Sequence, residues 1–432
     1  MSIFRALSEL NTALPFSVSA SVLVFLAAGC GKETQSPKTA PEIEARLAAI
    51  RQAGEPVTLF ELDSWYVEPP AGENAAPLYG QAFAALSLQD ASTKAFREQN
   101  QKALEFLHQA TARTSCRFPV NLRAGQQALM PHLPKMKSCA QLLSQQARFE
   151  AVNGRADLAV QCVLDGLRVV RALDAEPTAI SQSVRLTSEQ IASAGLEQTL
   201  NYAALSLTNL TKLQRAFEET EKAGVGMLAR GFAGERCITA SMFTAPVEVA
   251  ANAAAAMRQP RPDGFFARYR RTSTNQADYA YCLDHMTALV GAAQAPFPDC
   301  LTIIGPWEGD VGIAKSRGYV IAGLMLPNMA MLLERSAVTS AYLRLAQTAL
   351  ALERYRLAHG GSLPAESSAL VPEYLAAIPA DPFDGKPLRY KKAQKGYVIY
   401  SIGPDRQDDG GTGLRPEMPP EAKYDLVFSV GR

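Results

Sequence analysis

The residues best placed to do chemistry lie near the C-terminus. Asp405, Asp408 and Asp409 fall in a 22-residue stretch, 403–424, with four Gly, four Pro and no apolar periodicity. A loop that long inside a compact domain is functional or disordered. Grouped carboxylates and free backbone carbonyls suit Ca²⁺, a hard cation that takes about 6–8 oxygen ligands. A solvated acidic turn without an ion is the other reading of the same residues. A second constellation is basic. Arg258, Arg261, Arg268, Arg270 and Arg271 interleave with Phe265, Phe266 and Tyr269. Cations with aromatics can hold phosphates and stack on bases. Two further readings stand beside that one: contact with anionic lipid head groups, or a solvated loop whose aromatics pack back on the domain.

Patterns for covalent or metal catalysis are missing. The chain has no Gly-x-Ser-x-Gly, no Ser-x-x-Lys, no His-Glu-x-x-His and no P-loop. Its four histidines, His108, His132, His285 and His359, are dispersed. Asp284 and His285 are adjacent, and helix neighbours do not face each other. The 43 basic and 42 acidic side chains give a net charge of +1. That balance excludes bulk attraction to nucleic acid as the organising principle. The chain is 47% hydrophobic, enough for a sizeable core, and its 432 residues suggest two or three domains.

The N-terminus reads as an address. Residues 16–28 are mostly apolar; thirteen residues fall short of the roughly 20 that span a bilayer. They suit the core of a secretory signal. The run ends Leu26-Ala27-Ala28-Gly29-Cys30. This resembles the lipobox of bacterial lipoproteins, with Ala27 where Leu is more usual. The resemblance implies cleavage before Cys30, a diacylglyceryl group on its thiol, and a fatty acyl chain such as palmitate on its new amine. The polar stretch after Cys30 reads as a tether. Six cysteines remain: Cys116, Cys139, Cys162, Cys237, Cys282 and Cys300. An even count outside the cytoplasm permits disulfides, with Cys282–Cys300 and Cys116–Cys139 as the first pairs to look for. Six is equally a normal number of small buried hydrophobes.

The elements that must position these groups are mainly helical. Apolar spacing predicts helices over 79–107, from 139 to a stop at Asn153-Gly154, from Asp157 until Glu176-Pro177, and over 180–204, 210–222 and 278–292. The pair on either side of Gly154 resembles one tetratricopeptide-type hairpin through Ala147, Ala159 and Val163. A solenoid needs about three or more such units, so a local αα-hairpin in an irregular helical domain is the plainer reading. Val338, Tyr342, Leu345, Ala349 and Leu352 then mark a helix over 336–358, ended by Gly360-Gly361. The period switches to two near residue 388, predicting strands around Leu388 and Tyr390, over 397–402, and over 425–430.

This last region carries a family signal. Ala351-Leu352-Glu353-Arg354-Tyr355-Arg356, Asp381-Pro382-Phe383-Asp384-Gly385, Tyr400-Ser401-Ile402-Gly403-Pro404-Asp405 and Asp408-Asp409-Gly410-Gly411 resemble the soluble part of the major pseudopilin (protein G) of type II secretion systems. The likeness covers under a quarter of the chain. It implies a helix packed on a small antiparallel sheet, with calcium in the loop before the last strand. Asp405 matches the family's Asp, Asp425 matches one opening the last strand, and Ile402 would offer its carbonyl; Asp408 and Asp409 fall where that loop varies. The membrane helix that starts a pseudopilin is not matched, since here the corresponding helix begins some 300 residues after the lipobox-like stretch. The resemblance therefore implies a borrowed fold, not a fibre subunit.

The expected architecture is α+β. It consists of a signal (1–29), a polar tether (30–55), a large helical domain (56–335), partly tetratricopeptide-like, and a small helix-plus-antiparallel-sheet module (336–432). The expected function is a non-catalytic envelope lipoprotein that binds or scaffolds, facing the periplasm or exterior. Its expected partners are the membrane, through Cys30, and an unidentified protein, with no nucleic acid. The alternatives are an extracytoplasmic hydrolase with its site in the helical domain, and an accessory component of a secretion or pilus-like machine.

Overall fold

The computed structural model describes residues 40–70, 72–87, 94–256, 258–414 and 424–432. Cys30 and the lipobox-like stretch lie outside the described residues. The described residues are mostly helical, 64% of them, with a small three-stranded antiparallel sheet near the C-terminus. This is the α+β class that apolar periodicity predicts.

Helix α1 (Pro41–Gln52) has Pro at its start, Glu42 and Glu44 in its first turn and Arg51 in its last. That charge order suits the helix dipole. Ile43 and Ile50 are buried, and Leu47 packs beside them. Residues 41–52 are thus a docked helix within the span expected as tether. The polar composition of 30–55 hides an apolar stripe at helical spacing.

Helix α2 (Leu59–Trp65) opens on a capping box between Thr58 and Glu61. The single helix read over 79–107 is two, α3 (Ala76–Ala85) and α4 (Lys94–Thr111). The body follows as α5 (His132–Val152), α6 (Ala156–Arg171), α7 (Ala179–Tyr202), α8 (Leu207–Gly224) and α9 (Met227–Thr244). Helix α5 begins ahead of the expected Cys139 because Pro134 sits in its first turn, where a missing N–H costs nothing. The α5–α6 hairpin turns at Gly154, whose φ of 73° is open to glycine. Helix α9 shows no amphipathic stripe, because Gly231, Gly234, Glu235 and Arg236 are all buried along it. A Cβ on Gly234 would lie 1.8 Å from the Pro177 carbonyl oxygen, so only glycine permits this approach.

After α10 (Val247–Ala256) and α11 (Phe265–Tyr269) comes α12 (Ser273–Ala292), then α13 (Asp299–Ile303) and α14 (Trp307–Ser316). Helix α15 (Val320–Ala358) runs 39 residues through Pro327 and through the expected 335/336 boundary. No helix among the described residues is long and apolar enough to cross a membrane. The sheet has the order β1 (Arg389–Lys392), β2 (Tyr397–Ser401), β3 (Leu426–Val430), with Tyr397 opposite Val430 and Ile399 opposite Phe428.

Two cores meet along α15. Its first half packs with α1, α9, α12 and α14 around Met286, Leu326 and Phe232. Its second half packs with α6, α7, α8 and the sheet around Leu345, Phe217, Ile399 and Phe428. A third core joins α2 to α6 around Leu62, Tyr79 and Leu142. Side chains of α7 close the sheet edge at β3. The Ser429 N–H donates to Glu197 (2.8 Å), the Asn201 amide donates to the Ser429 carbonyl (2.8 Å), and the Gly431 N–H donates to Asn201 (2.9 Å). A capped edge cannot pair with another strand.

Candidate functional site

The acidic loop is built around Asp425, which is buried at the start of β3. Its carboxylate accepts the N–H groups of Asp409 (3.3 Å), Gly411 (2.6 Å) and Thr412 (3.3 Å). Burial raises its pKa, and these N–H bonds act against the rise. Asp405 accepts the Gln407 N–H (3.1 Å) and Asp408 accepts the Gly410 N–H (2.9 Å), so each closes its own exposed turn. The buried N–H of Ile402 donates to Asp381 (2.9 Å). Asp409 keeps one oxygen, Oδ2, buried without a hydrogen-bond partner among the described residues. Among those residues no three His, Cys, Asp or Glu gather to hold a metal. Asp425 therefore fits a calcium ligand poorly, because N–H donors already face its oxygens. The described loop offers a cation the buried open Oδ2 of Asp409 and the exposed second oxygens of Asp405 and Asp408; residues 415–423 lie outside the described residues.

The organising acid of the sheet module is Asp381. It is fully buried and accepts from Phe383 N–H (3.0 Å), Ser401 Oγ (2.8 Å), Ile402 N–H (2.9 Å) and Arg389 Nη1 (2.6 Å). Arg389 also pairs with Asp384 (2.5 Å), and the two hydrogen bonds together hold the 381–389 turn. These donors make Asp381 a structural anchor.

Three histidines lie beside carboxylates. Exposed His108 Nδ1 is 3.1 Å from buried Asp165, which also accepts from Thr111 (3.0 Å), and His285 Nε2 is 3.6 Å from Asp310. His132 Nε2 lies 3.0 Å from Glu176, whose carboxylate also accepts from Tyr66 (3.2 Å) and Ser181. Ser181 hydrogen-bonds Glu176 rather than His132, and all four residues are buried. Burial and the neighbouring Glu176 charge both raise the Tyr66 pKa. This cluster ties α2, α5 and α7 together behind a closed surface. His285 stacks on Tyr281 at 3.8 Å, and His359 stacks on Tyr355 at 3.8 Å. All six described cysteines are free, so neither expected pair is bridged. Burial lifts the Cys139 and Cys237 thiols to about 12, which makes them poor nucleophiles.

Two clefts open on the surface. The first, about 660 Å³, lies between α6 and α8. Its arginines are paired: Arg171 and Arg215 face Glu219 at 3.6 and 2.9 Å, and Arg168 faces Asp165 at 3.5 Å. The second, about 600 Å³, lies between α11 and the turn joining α14 to α15. Of the five arginines in the basic segment, only Arg261 lines it. Arg270 donates instead to the Met242 carbonyl (2.8 Å), and Phe266 and Tyr269 are buried in the core. The aromatics thus pack back on the domain. Lys315 and Arg317 complete the cleft from some fifty residues further along the chain, beside Tyr319. The basic spacing singled out Arg261; no local signal marked Lys315 and Arg317, which reach the cleft through the Gly318 turn, φ 72°.

The floor of this second cleft is fixed by Asp278. This fully buried carboxylate accepts from Tyr269 Oη (2.8 Å), Ile321 N–H (2.8 Å) and Ala322 N–H (3.0 Å), while Val320 N–H donates to the Tyr269 hydroxyl (3.2 Å). The first turn of α15 is thereby capped by a carboxylate on α12. No family model matches this chain, and no curated protein or solved structure matches it either.

Proposed function

We propose that the protein is a non-catalytic cell-envelope lipoprotein, tethered by lipid on Cys30, that binds or scaffolds a partner. The observation that carries the non-catalytic part is placement. Among the described residues, the buried cluster joining a histidine to a carboxylate and a serine, His132–Glu176–Ser181, is closed to substrate, and the exposed His108–Asp165 pair is joined by Thr111, Gln161 and Arg168, with no serine or cysteine. The linings of these two clefts are cations, threonines and apolar side chains, with Glu219 in the first and Gln259 in the second, and hold no histidine or cysteine. The tether rests on the sequence of 16–30. The α5–α6 hairpin is read as a single tetratricopeptide-like unit and the last hundred residues as a pseudopilin-like module used for its fold. Mass spectrometry of the mature N-terminus tests the anchor. The expected peptide begins at Cys30 and carries a diacylglyceryl adduct; an unmodified Cys30 or a cut elsewhere ends the reading.

Calcium in the acidic loop is a separate part of this proposal, favoured by the open Asp409 Oδ2. Millimolar Ca²⁺ is expected to raise the melting temperature of the full chain by ligand linkage. Asp405→Ala or Asp409→Asn should abolish that rise, and melts that superimpose with chelator withdraw calcium.

A further inference from the structure

The second cleft carries a charge that nothing in its walls balances. Among the described residues Arg261, Lys315 and Arg317 have no carboxylate partner, and no acidic residue lines the cleft. The Arg261 guanidinium lies over the Phe265 ring, 5.5 Å from its centroid, which directs the fork without neutralising it. Phe265 stacks on Tyr269 at 5.9 Å, and Tyr319 sets its ring against Tyr281 at 5.3 Å, so the aromatic walls are braced from behind. The N–H groups of the first turn of α15 are taken by Asp278 and Tyr269. A ligand here must therefore be held by side chains and not by the helix end. Gly323 lines the floor without a side chain; a Cβ there would rest in ordinary contact, 3.6 Å from Lys315 Cγ, and a longer side chain would occupy the floor.

We propose that this cleft binds a phosphate group, either free or borne on a lipid headgroup. Guanidinium forks match the oxygens of phosphate in pairs, and an ammonium adds a point charge. The volume suits a headgroup-sized ligand, and Phe265 and Tyr319 supply apolar walls for its carbon part. The inference deepens the binding reading and rests on it for non-catalytic recognition; it does not need the Cys30 anchor. The source of the phosphate, a free anion or an anionic lipid, is left to the measurement.

The test uses the full chain with Cys30→Ala, so that no attached lipid contributes. Calorimetric titration with inorganic phosphate and co-sedimentation with phosphatidylglycerol vesicles, against phosphatidylcholine vesicles, are run side by side. Binding in either arm is expected to weaken at least tenfold in Arg261→Gln/Arg317→Gln, and to fall with added salt. Arg271→Gln removes the same kind of charge from the same basic segment outside the cleft and should change binding less than twofold. Gly323→Met leaves the charge intact, fills the floor, and should weaken binding as the arginine pair does. Heat with phosphate alone assigns a free anion; sedimentation with vesicles alone assigns a lipid headgroup; each supports the site. A folded wild type that binds in neither arm overturns the proposal, as does equal weakening by Arg271→Gln. Either failure leaves the anchor to be judged by the N-terminal mass.

Discussion

At the scale of single residues, the molecule spends its buried carboxylates on architecture. Asp425, Asp381 and Asp278 each gather three or more donors around one side chain, and each fixes a turn or a helix start. Removing Asp425 leaves three N–H groups without an acceptor. Asp425→Ala is expected to lower stability by about 2–3 kcal/mol, read by urea unfolding; a loss within about 0.5 kcal/mol would make the residue a surface turn. Glu235 behaves differently. It is buried on α9, and burial holds its carboxyl above the usual range against the Ala179 N–H and the Gln126 amide. The folded state therefore keeps a proton that the unfolded chain releases near pH ~4.3. Stability contributed by that proton is present at low pH and is lost as pH rises through the raised value. Glu235→Gln is expected to raise the melting temperature relative to wild type at pH 8 and to leave it nearly unchanged at pH 4. An equal difference at both pH values contradicts this assignment.

At the scale of elements, apolar period predicts much of what forms. The spacing from Val338 to Leu352 gives the second half of α15, and the alternation after 388 gives all three strands. The period fails where burial is not apolar. Helix α9 carries two glycines and a buried Arg236, so it has no stripe to read. Helix α12 begins at Ser273, capped by Thr272, while spacing places its start at Asp278. That aspartate sits in the second turn and caps the start of another helix, a role that only the fold reveals. The acidic loop was legible in composition, yet Asp425 anchors it through N–H bonds that no linear pattern displays. The cationic cleft was half legible, through Arg261, because Lys315 and Arg317 come from a distant turn. Two predictions belong to this scale. Asp278→Ala should cost roughly 2–4 kcal/mol and loosen the first turn of α15, seen as faster amide exchange at Ile321 and Ala322. Unchanged exchange there would remove Asp278 from the capping role. Asn201→Ala uncovers the β3 edge and should cost about 1–2 kcal/mol; if it also leaves exchange at Gly431 unchanged, α7 is not the lock on the sheet.

At the scale of the whole molecule, the sheet is part of the helical body. The core around Ile399 and Phe428 is shared with Phe217, Leu164 and Leu200, which belong to α8, α6 and α7. A fragment of residues 336–432 loses those partners and is expected to unfold without a cooperative transition, whereas the full chain melts as one unit through this core. The proposed binding at a membrane surface rests on the sequence of 16–30 and on the cationic cleft beside α11. The central claim is that lipid on Cys30 holds this body at the envelope, and cell fractionation tests it most directly. The wild type is expected with the membranes and Cys30→Ala in the soluble fraction, because the acyl chains, at about 0.8 kcal/mol per buried CH₂, supply the anchor. A Cys30→Ala chain that stays with the membranes, or a wild type that leaves them, would contradict the account.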